Sequence, residues 1–373
     1  MKVLEVAQEL MRFRSETGNE KEIKKTMDYI KNAMTLVGAK VVVFEKKGIA
    51  PVIMVRNHNS LDFDALVLGH IDVVPADDKM FNPVVKGGKL YGRGSLDMKS
   101  FAAVAMNSMQ YVIENKLPIK FGIILSSDEE KGSKGTKAFL EKYSKIKADV
   151  VLDNDVGGDI TKIIAKCKNP VFVKIKAKGK EAHGSRPWDG IDANELMFKV
   201  ISNIRKIYPA YDLEGKKPRN KWIDTLHFAK IEGGKVANII SDYCEILCDF
   251  RLVETSSVDG LVKNLKKCMV KGVDFEVVSS SVPVVMSEKN PQILEYKKLA
   301  ETILCKKIRF EYEGGATDAR EFAIRGSTVI MHSGSGDGMH APDEFVEVES
   351  VEKLSEIQIA FLEKFSSCQS KIK

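Results

Sequence analysis

The run ALVLGHID, residues 65–72, decides the fold class of this chain. Its first five residues are apolar without alternation, which is typical of a strand covered on both faces of a sheet. His70 and Asp72 follow where the strand leaves the core, and ligands in open α/β sheets collect at such carboxyl ends. The run therefore predicts an α/β fold with a polar site at one edge of its sheet.

Two further buried strands end in the same way. The apolar run 121–125 is followed by serines and acids up to Glu130, and the run 149–152 is followed by Asp153 and Asp155. Between them, YGRGSLDMK at residues 91–99 delivers Asp97 to the start of a helical segment. Taken alone, Asp97 is typical of a helix cap. Three buried strands therefore end in acids or histidine, at the carboxyl ends where ligands of open α/β sheets collect.

The pattern changes near residue 168. Residues 171–178 alternate apolar side chains with lysine, which is typical of a sheet with one face in water. The following helices and strands complete a β-α-β-β-α-β order, the ferredoxin-like arrangement. With 373 residues, the chain has room for two domains. We expect a mixed-sheet α/β domain formed by 1–167 and 284–373, and an inserted α+β domain formed by 168–283.

Composition excludes several classes of protein. The net charge of +6 is modest and the lysines are scattered, so we expect no nucleic-acid partner. No apolar stretch approaches membrane-spanning length, and the N-terminal residues predict an amphipathic helix rather than a signal peptide. The six cysteines include no CxxC pair, which argues against disulfides and thiolate metal sites. These features together predict a cytoplasmic protein without a membrane partner.

Five residues are candidates for metal ligands: His70, Asp97, Glu130, Asp155 and His340. If they converge, two divalent ions each receive one imidazole and one terminal carboxylate, and Asp97 is shared. Imidazole nitrogen and carboxylate oxygen suit zinc, although cobalt or manganese accept the same donors. The charges of two divalent ions would be balanced by three carboxylates and a hydroxide. The remaining histidines outside the HGSRP motif are interpreted as structural: His58, His227 and His332.

Neighbouring acids supply the other roles. Glu129 and Glu130 are adjacent and cannot point the same way, so one can bind metal while Glu129 faces the attacking water as a general base. Asp72, two residues after His70, is a candidate to orient that imidazole. Asp153 remains an alternative ligand to Asp155.

Motifs along nearly the whole chain resemble those of the dinuclear zinc exopeptidases and amidohydrolases. That family includes carboxypeptidase G, acetylornithine deacetylase, succinyl-diaminopimelate desuccinylase and aminoacylase. The motifs, in chain order, are GHIDVVP, YGRGSLDMK, SSDEEKGSKG, the acid of VLDND, HGSRP, GGKVANIISD, GGATDA and HAPDE.

The resemblance implies two zinc ions per chain. It places His70 and Asp155 on one ion and Glu130 and His340 on the other, with Asp97 bridging them. It also implies that Glu129 is the base and that the peptide bond between Asp97 and Met98 is cis.

The resemblance also implies roles outside the metal centre. The inserted domain would act as a dimerisation or lid domain, and its His183 would stabilise the oxyanion. Asn238 and Arg251 would hold a substrate carboxylate, and a loop of Gly315, Ala316 and Thr317 would line the pocket.

The predicted activity is hydrolysis of the amide bond of a small N-acyl amino acid, of the deacetylase or desuccinylase type, by a homodimer. A dipeptidase or carboxypeptidase of the same family is the alternative, and a catalytically silent binding protein is less favoured because no ligand is missing. Aspartate at position 155, where many relatives carry glutamate, favours a deacylase or dipeptidase. A nucleotide-binding protein is disfavoured because the glycines at 334–338 lack a Walker lysine. A serine hydrolase is disfavoured because GxSxG spacing is absent around Ser133.

Overall fold

The computed structural model describes residues 2–209 and 221–369. The chain divides into two units, each described by itself below. The first unit consists of Met1–Ala165, Met286–Glu311 and Thr317–Lys373, and the second of Lys166–Val285 and Tyr312–Ala316. The first unit was expected to end at residue 167 and to resume at residue 284. It ends at residue 165 and resumes at residue 286, a difference of two residues at each boundary. The expected and observed units differ further at residues 312–316, which belong to the second unit because the backbone N–H of Lys168 donates to the carbonyl of Glu313.

The helices and strands are numbered in chain order. The helices are α1 Val3–Arg12, α2 Glu20–Leu36, α3 Lys99–Glu114, α4 Lys134–Lys142, α5 Ala193–Arg205, α6 Val258–Cys268, α7 Pro291–Leu304, α8 Arg320–Ala323 and α9 Val348–Gln369. The strands are β1 Lys40–Lys46, β2 Ile49–Arg56, β3 Asp62–His70, β4 Val84–Lys86, β5 Lys89–Tyr91, β6 Phe121–Ser126, β7 Lys147–Asp153, β8 Lys162–Cys167, β9 Asn169–Lys178, β10 Thr225–Gly233, β11 Tyr243–Leu252, β12 Val273–Ser280, β13 Val284–Val285, β14 Arg309–Glu313, β15 Thr328–Met331, β16 Gly336–Asp337 and β17 Phe345–Glu347.

The main sheet of the first unit is mixed, with the strand order β1-β2-β6-β3-β7-β15-β8. Strands β6, β3 and β7 are neighbours and run parallel, as do β7 and β15, whereas β1, β2 and β8 pair antiparallel. The three buried strands identified in the sequence are therefore adjacent, and their carboxyl ends meet at one edge. This arrangement confirms the α/β mixed-sheet prediction.

Helix α3 anchors the metal-site edge to the core. It packs against β3 and β6 as well as α1 and α9. Eleven of its sixteen residues are buried, and three alanines in its first half permit close approach to its neighbours. Fully burying a large apolar side chain such as Phe101 contributes roughly 1.5–3 kcal/mol. The start of α3, where Asp97 lies, is consequently held by its packing.

A small antiparallel sheet in the first unit was not predicted. Its order is β16-β17-β5-β4, and each strand contains only two or three residues. Phe345 of β17 pairs with Tyr91 of β5, while β16 and β17 form a hairpin that encloses residues 338–344. This sheet brings the loop that carries His340 beside the segment that carries Asp97.

The second unit has the expected β-α-β-β-α-β order. Its antiparallel sheet has the strand order β10-β11-β9-β12, and α5 packs on β9, β11 and α6. Alternate residues of β9 and β11 point into a separate apolar core, because successive strand residues face opposite sides. Among residues 2–209 and 221–369, no helix combines the length and apolar character needed to cross a bilayer.

Candidate metal centre

His70 is the last residue of β3 and its side chain is buried. Its Nδ1 lies 3.0 Å from the carbonyl oxygen of Asp72 and 3.4 Å from Asp72 Oδ1. Since a carbonyl only accepts, Nδ1 carries a proton and Nε2 faces Asp97 Oδ1 at 2.9 Å. Burial opposes protonation of His70, but hydrogen bonds to Asp72 and Asp97 outweigh it and hold the pKa of His70 well above its ordinary value.

Asp97 immediately precedes α3, yet its carboxylate does not cap the helix. The cap position is Met98, and it makes no side-chain capping bond. Instead, Asp97 Oδ1 faces His70, while Oδ2 lies 3.0 Å from His340 Nε2. Burial alone would raise the pKa of Asp97. The hydrogen bonds from the two histidines outweigh this effect and hold the pKa below its ordinary value. The Asp97–Met98 peptide is cis, as the resemblance implied.

Glu130 and His340 form the other side of the site. Glu130 follows β6 in a short turn, and its Oε2 lies 3.2 Å from His340 Nε2. Hydrogen bonds to Asp97 and Glu130 raise the pKa of His340 to about 10. The other oxygen, Glu130 Oε1, is buried and has no hydrogen-bond partner within residues 2–209 and 221–369. An acceptor of this kind needs a cation or a donor to offset its desolvation.

The donor atoms form two groups that share Asp97. One contains His70, Asp97 and Asp155, the other contains Asp97, Glu130 and His340, and the donors of each group lie within 4.8 Å of one another. Asp153 is in neither group; its Oδ1 accepts the backbone N–H of Asp155 at 3.0 Å. Two mixed imidazole and carboxylate groups joined by one carboxylate fit a pair of divalent metal ions.

Acids crowd this edge of the sheet. Burial, reinforced by the charges of Asp318, Asp97 and Glu130, raises the pKa of Glu129 to about 8. Burial and the charge of Glu129 raise the pKa of Asp155 well above its ordinary value. So many acids resist ionisation together because like charges repel in a desolvated site. Bound cations would remove that penalty, so the electrostatics agree with the donor geometry.

Asp72 connects the two sides of the centre. Besides its contact with His70, its carboxylate accepts the backbone N–H of Glu129 at 3.2 Å and that of Glu130 at 3.4 Å. The hydroxyl of Thr17 donates to Asp72 Oδ2 at 2.8 Å. One buried carboxylate therefore contacts a histidine, the candidate base and a candidate ligand.

The other residues predicted from the sequence lie mostly in the second unit. His183 is exposed, and its Nδ1 contacts the Ser185 hydroxyl at 2.8 Å. The carbonyl of Asn238 accepts the N–H of Gly184. Arg251 holds Asp249 through two hydrogen bonds, from Nε at 2.8 Å and from Nη2 at 3.0 Å.

The loop expected to line the pocket is divided between the units. Gly315 and Ala316 belong to the second unit and Thr317 to the first. Thr317 is buried, and its hydroxyl donates to the carboxylate of Asp153.

Sequence reasoning missed three residues that surround the centre. Thr17 lies in an N-terminal segment with no recognised motif. Arg93 and Glu344 lie inside quoted motifs, GRG and HAPDE, but were given no role. A signal was present, since an arginine and a glutamate beside two candidate ligands form a natural ion pair.

The sequence model of Peptidase family M20/M25/M40 matches residues 66–364. An uncharacterized metallohydrolase of Methanocaldococcus jannaschii is 25% identical over 90% of both chains. Acetylornithine deacetylase of Pectobacterium carotovorum is 26% identical over 78% of both chains.

Solved structures share the fold. A tripeptidase from Staphylococcus aureus superposes with a TM-score of 0.81 at 20% identity, covering 98% of each chain. An M20 family metallo-carboxypeptidase from Sulfolobus solfataricus superposes with a TM-score of 0.79 at 18% identity, covering 98% of this chain and 99% of that one. Since the family model spans most of the sequence, the chain belongs to Peptidase family M20/M25/M40 and is a metal-dependent hydrolase.

Proposed function

We propose that the protein hydrolyses the amide bond of a small N-acyl amino acid at a centre of two zinc ions. The observation that carries the proposal is the position of Asp97. Its two oxygens face His70 and His340 at 2.9 and 3.0 Å, so that two donor groups share one carboxylate. Asp155 completes one group and Glu130 the other. Cobalt and manganese accept the same donors and are substitutes for zinc.

When bound, the metal ions supply Lewis acidity that polarises the scissile carbonyl and lowers the pKa of the attacking water. The protein supplies the proton carrier. Glu129 takes a proton from the water and passes it to the leaving nitrogen. Its backbone N–H donates to Asp72, which holds the turn in place.

Residues of the second unit serve substrate binding in this proposal. His183 donates to the developing oxyanion, while Asn238 and Arg251 hold the substrate carboxylate together with the loop of Gly315, Ala316 and Thr317. The pair with Asp249 uses Nε and Nη2 of Arg251 and fixes the plane of the guanidinium, leaving Nη1 outside that pair. A fixed guanidinium is well suited to bind a planar carboxylate.

Curated relatives support the N-acyl amino acid as substrate. Acetylornithine deacetylases of three bacteria are 24–26% identical over 78–80% of the chain. N-acetylornithine and N-succinyl-diaminopimelate are therefore the first compounds to assay. Dipeptides form the second class, because a dipeptide has an amide bond and a free carboxylate in the same relative positions.

The test is metal-dependent release of amine from these compounds by the zinc-reconstituted protein. We expect kcat/KM to be at least tenfold higher for one N-acyl amino acid than for the best dipeptide. A preference for dipeptides would replace the substrate class and leave the chemistry intact. If no amide is hydrolysed while two zinc ions per chain are bound, the proposed activity is wrong.

We also propose that the protein is a cytoplasmic homodimer joined through its second unit. Strand β10 is an edge strand, and its Ile231 is exposed, as is Phe198 on α5. An edge strand with exposed apolar side chains is suited to pairing with another chain. Of the cysteines in the described residues, Cys244, Cys248, Cys268 and Cys305 are free thiols, which supports a reducing compartment. Analytical ultracentrifugation of the protein and of Ile231→Lys tests the dimer.

A further inference from the structure

Arg93 and Glu344 form a buried ion pair beside the metal centre. Glu344 is 0% exposed and Arg93 is 3% exposed. Nη1 of Arg93 donates to Glu344 Oε2 at 2.5 Å. Burying two charges costs desolvation energy, and the attraction between them often fails to offset that cost. The stability of the fold is therefore a poor explanation for this pair.

The other contacts of the pair are with segments that carry candidate metal ligands. Glu344 Oε1 accepts the backbone N–H groups of Leu96 at 2.8 Å and Asp97 at 3.1 Å. Nη2 of Arg93 donates to the carbonyl oxygen of His340 at 3.1 Å. The carboxylate therefore holds the backbone of one ligand, and the guanidinium holds the backbone of another.

The contact with His340 falls where the backbone needs support. His340 has a φ of 64°, in the left-handed region that residues other than glycine seldom adopt. Such a conformation persists only where surrounding contacts impose it. The hydrogen bond from the N–H of Ala341 to the carbonyl of Gly338 is one such contact, and the hydrogen bond from Arg93 to the carbonyl of His340 is another.

We propose that Arg93 and Glu344 are positioning residues that set the metal affinity of the Asp97, Glu130 and His340 group. The proposal rests on the dinuclear centre proposed above. Glu344 fixes the backbone of Asp97, and Arg93 fixes the left-handed turn that aims His340 Nε2 at Asp97 Oδ2. The group of His70, Asp97 and Asp155 depends on the pair only through Asp97.

The decisive variant is Arg93→Lys. A lysine retains a positive charge for Glu344 but cannot also reach the carbonyl of His340, because it lacks the guanidinium fork. Zinc binding is measured by titration against a competing chelator. We expect one of the two binding steps to weaken by roughly 10- to 100-fold, the range typical of residues that orient metal ligands, and the other to change less than threefold.

A double-mutant comparison assigns the weakened step. His340→Ala removes one donor group, so a single tight step should remain. In that background, Arg93→Lys is expected to have no further effect. If Arg93→Lys still weakens the remaining step tenfold, it acts on the whole fold rather than through His340, and the proposal fails.

The matched control is Glu301→Gln. Glu301 also combines an ion pair, with Lys297 at 2.6 Å, and a backbone acceptor contact, from the N–H of Ile308 at 3.0 Å. It belongs to the same unit but contacts no candidate ligand. Glu344→Gln is expected to weaken zinc binding, and Glu301→Gln is expected to leave it unchanged.

The double variant Arg93→Met with Glu344→Leu separates positioning from folding. Replacing a buried ion pair with apolar side chains often preserves the fold. We expect the circular dichroism spectrum and the unfolding midpoint of the metal-free double variant to stay near the wild-type values. Its zinc binding is expected to be weaker than that of the wild-type protein. Wild-type zinc affinity in this well-folded variant would overturn the proposal. Fewer than two zinc ions on the wild-type protein would instead refute the dinuclear centre itself.

Discussion

The carboxylate of Asp72 accepts the backbone N–H of Glu129 at 3.2 Å, which ties the end of β3 to the turn that follows β6. The side chain of Glu129 takes no part in this bond. It can therefore be changed without releasing the turn from Asp72.

For this reason, Glu129→Gln should retain the metal ions while kcat falls by roughly 10²- to 10⁴-fold, the usual contribution of a general base. Steady-state kinetics and metal analysis of the same sample provide the measurement. Glu141→Gln, at an exposed position of α4, serves as the control. Turnover near the wild-type rate in Glu129→Gln would remove the proton-carrier role.

The shared position of Asp97 predicts a difference in metal content between two variants. Asp97→Ala should lose tight binding of both ions, whereas Asp155→Ala should retain one ion on Asp97, Glu130 and His340. Elemental analysis after dialysis distinguishes them. Asp153→Asn tests the alternative ligand and should keep both ions, since an asparagine oxygen can still accept the N–H of Asp155. Loss of one ion in Asp153→Asn would indicate that Asp153, and not Asp155, is the metal ligand.

The hydroxyl of Thr17 should contribute to stability through Asp72. Thr17→Val removes the 2.8 Å bond and leaves a buried carboxylate oxygen with weaker contacts, at a cost of about 2 kcal/mol. Urea unfolding of the metal-free protein measures the change. Thr17→Ser keeps the hydroxyl and should recover most of the loss. Equal destabilisation by both substitutions would indicate that the methyl group, and not the hydroxyl, matters.

Substrate affinity should depend on the guanidinium of Arg251. Arg251→Lys breaks the double contact with Asp249 and removes the fork proposed to bind the substrate carboxylate. We expect KM to rise roughly tenfold for substrates with a free carboxylate, consistent with losing a charge-assisted hydrogen bond. The corresponding carboxamide substrates provide the comparison, and their KM should change little. An unchanged KM for the acids would contradict the assignment.

His332 should make the protein less stable in acid. Burial lowers its pKa to about 4, although a hydrogen bond to the carbonyl of Ile160 and the charge of Asp159 act in the opposite direction. Its other ring nitrogen faces the Tyr296 hydroxyl at 3.0 Å. Between pH 6.5 and 4 the unfolded chain binds a proton that the folded protein excludes, so stability falls as the pH is lowered through this window.

The full effect is about 3 kcal/mol, because the pKa of His332 is about 4 in the folded protein and about 6.5 in the unfolded chain. Chemical denaturation of the metal-free protein from pH 7 to pH 4 measures it. His332→Phe cannot titrate and should show a shallower loss over this window, whatever its stability at pH 7. Identical slopes for the two proteins would mean that other groups account for the acid sensitivity.

Sequence patterns predicted the main sheet well because each buried strand carries its own signal. The apolar runs that form β3, β6 and β7 are continuous, and the polar residues after them mark where each strand ends. That the three strands are neighbours in the sheet was not predicted and is known from the structure. The ferredoxin-like order was predicted because β9 and β11 alternate clearly between buried and partly exposed residues.

The four-stranded sheet of β4, β5, β16 and β17 could not be predicted in this way. Strands of two or three residues have no measurable periodicity, and their pairing depends on contacts between distant segments. The hydrogen bond from Arg93 to the carbonyl of His340 joins two segments that this sheet brings together. It was missed for the same reason. Residues 312–316 were predicted to belong to the first unit because the residues around them in the sequence do. The structure places them in the second unit.

The hairpin of β16 and β17 has a consequence for the order of events during synthesis. His340 and Asp97 meet across 243 positions, and the second unit is encoded between them. Because domains generally fold as units while the chain emerges, the second unit can be complete before His340 leaves the ribosome. The donors of Asp97, Glu130 and His340 can therefore hold an ion together only after both distant parts of the first unit have folded against each other.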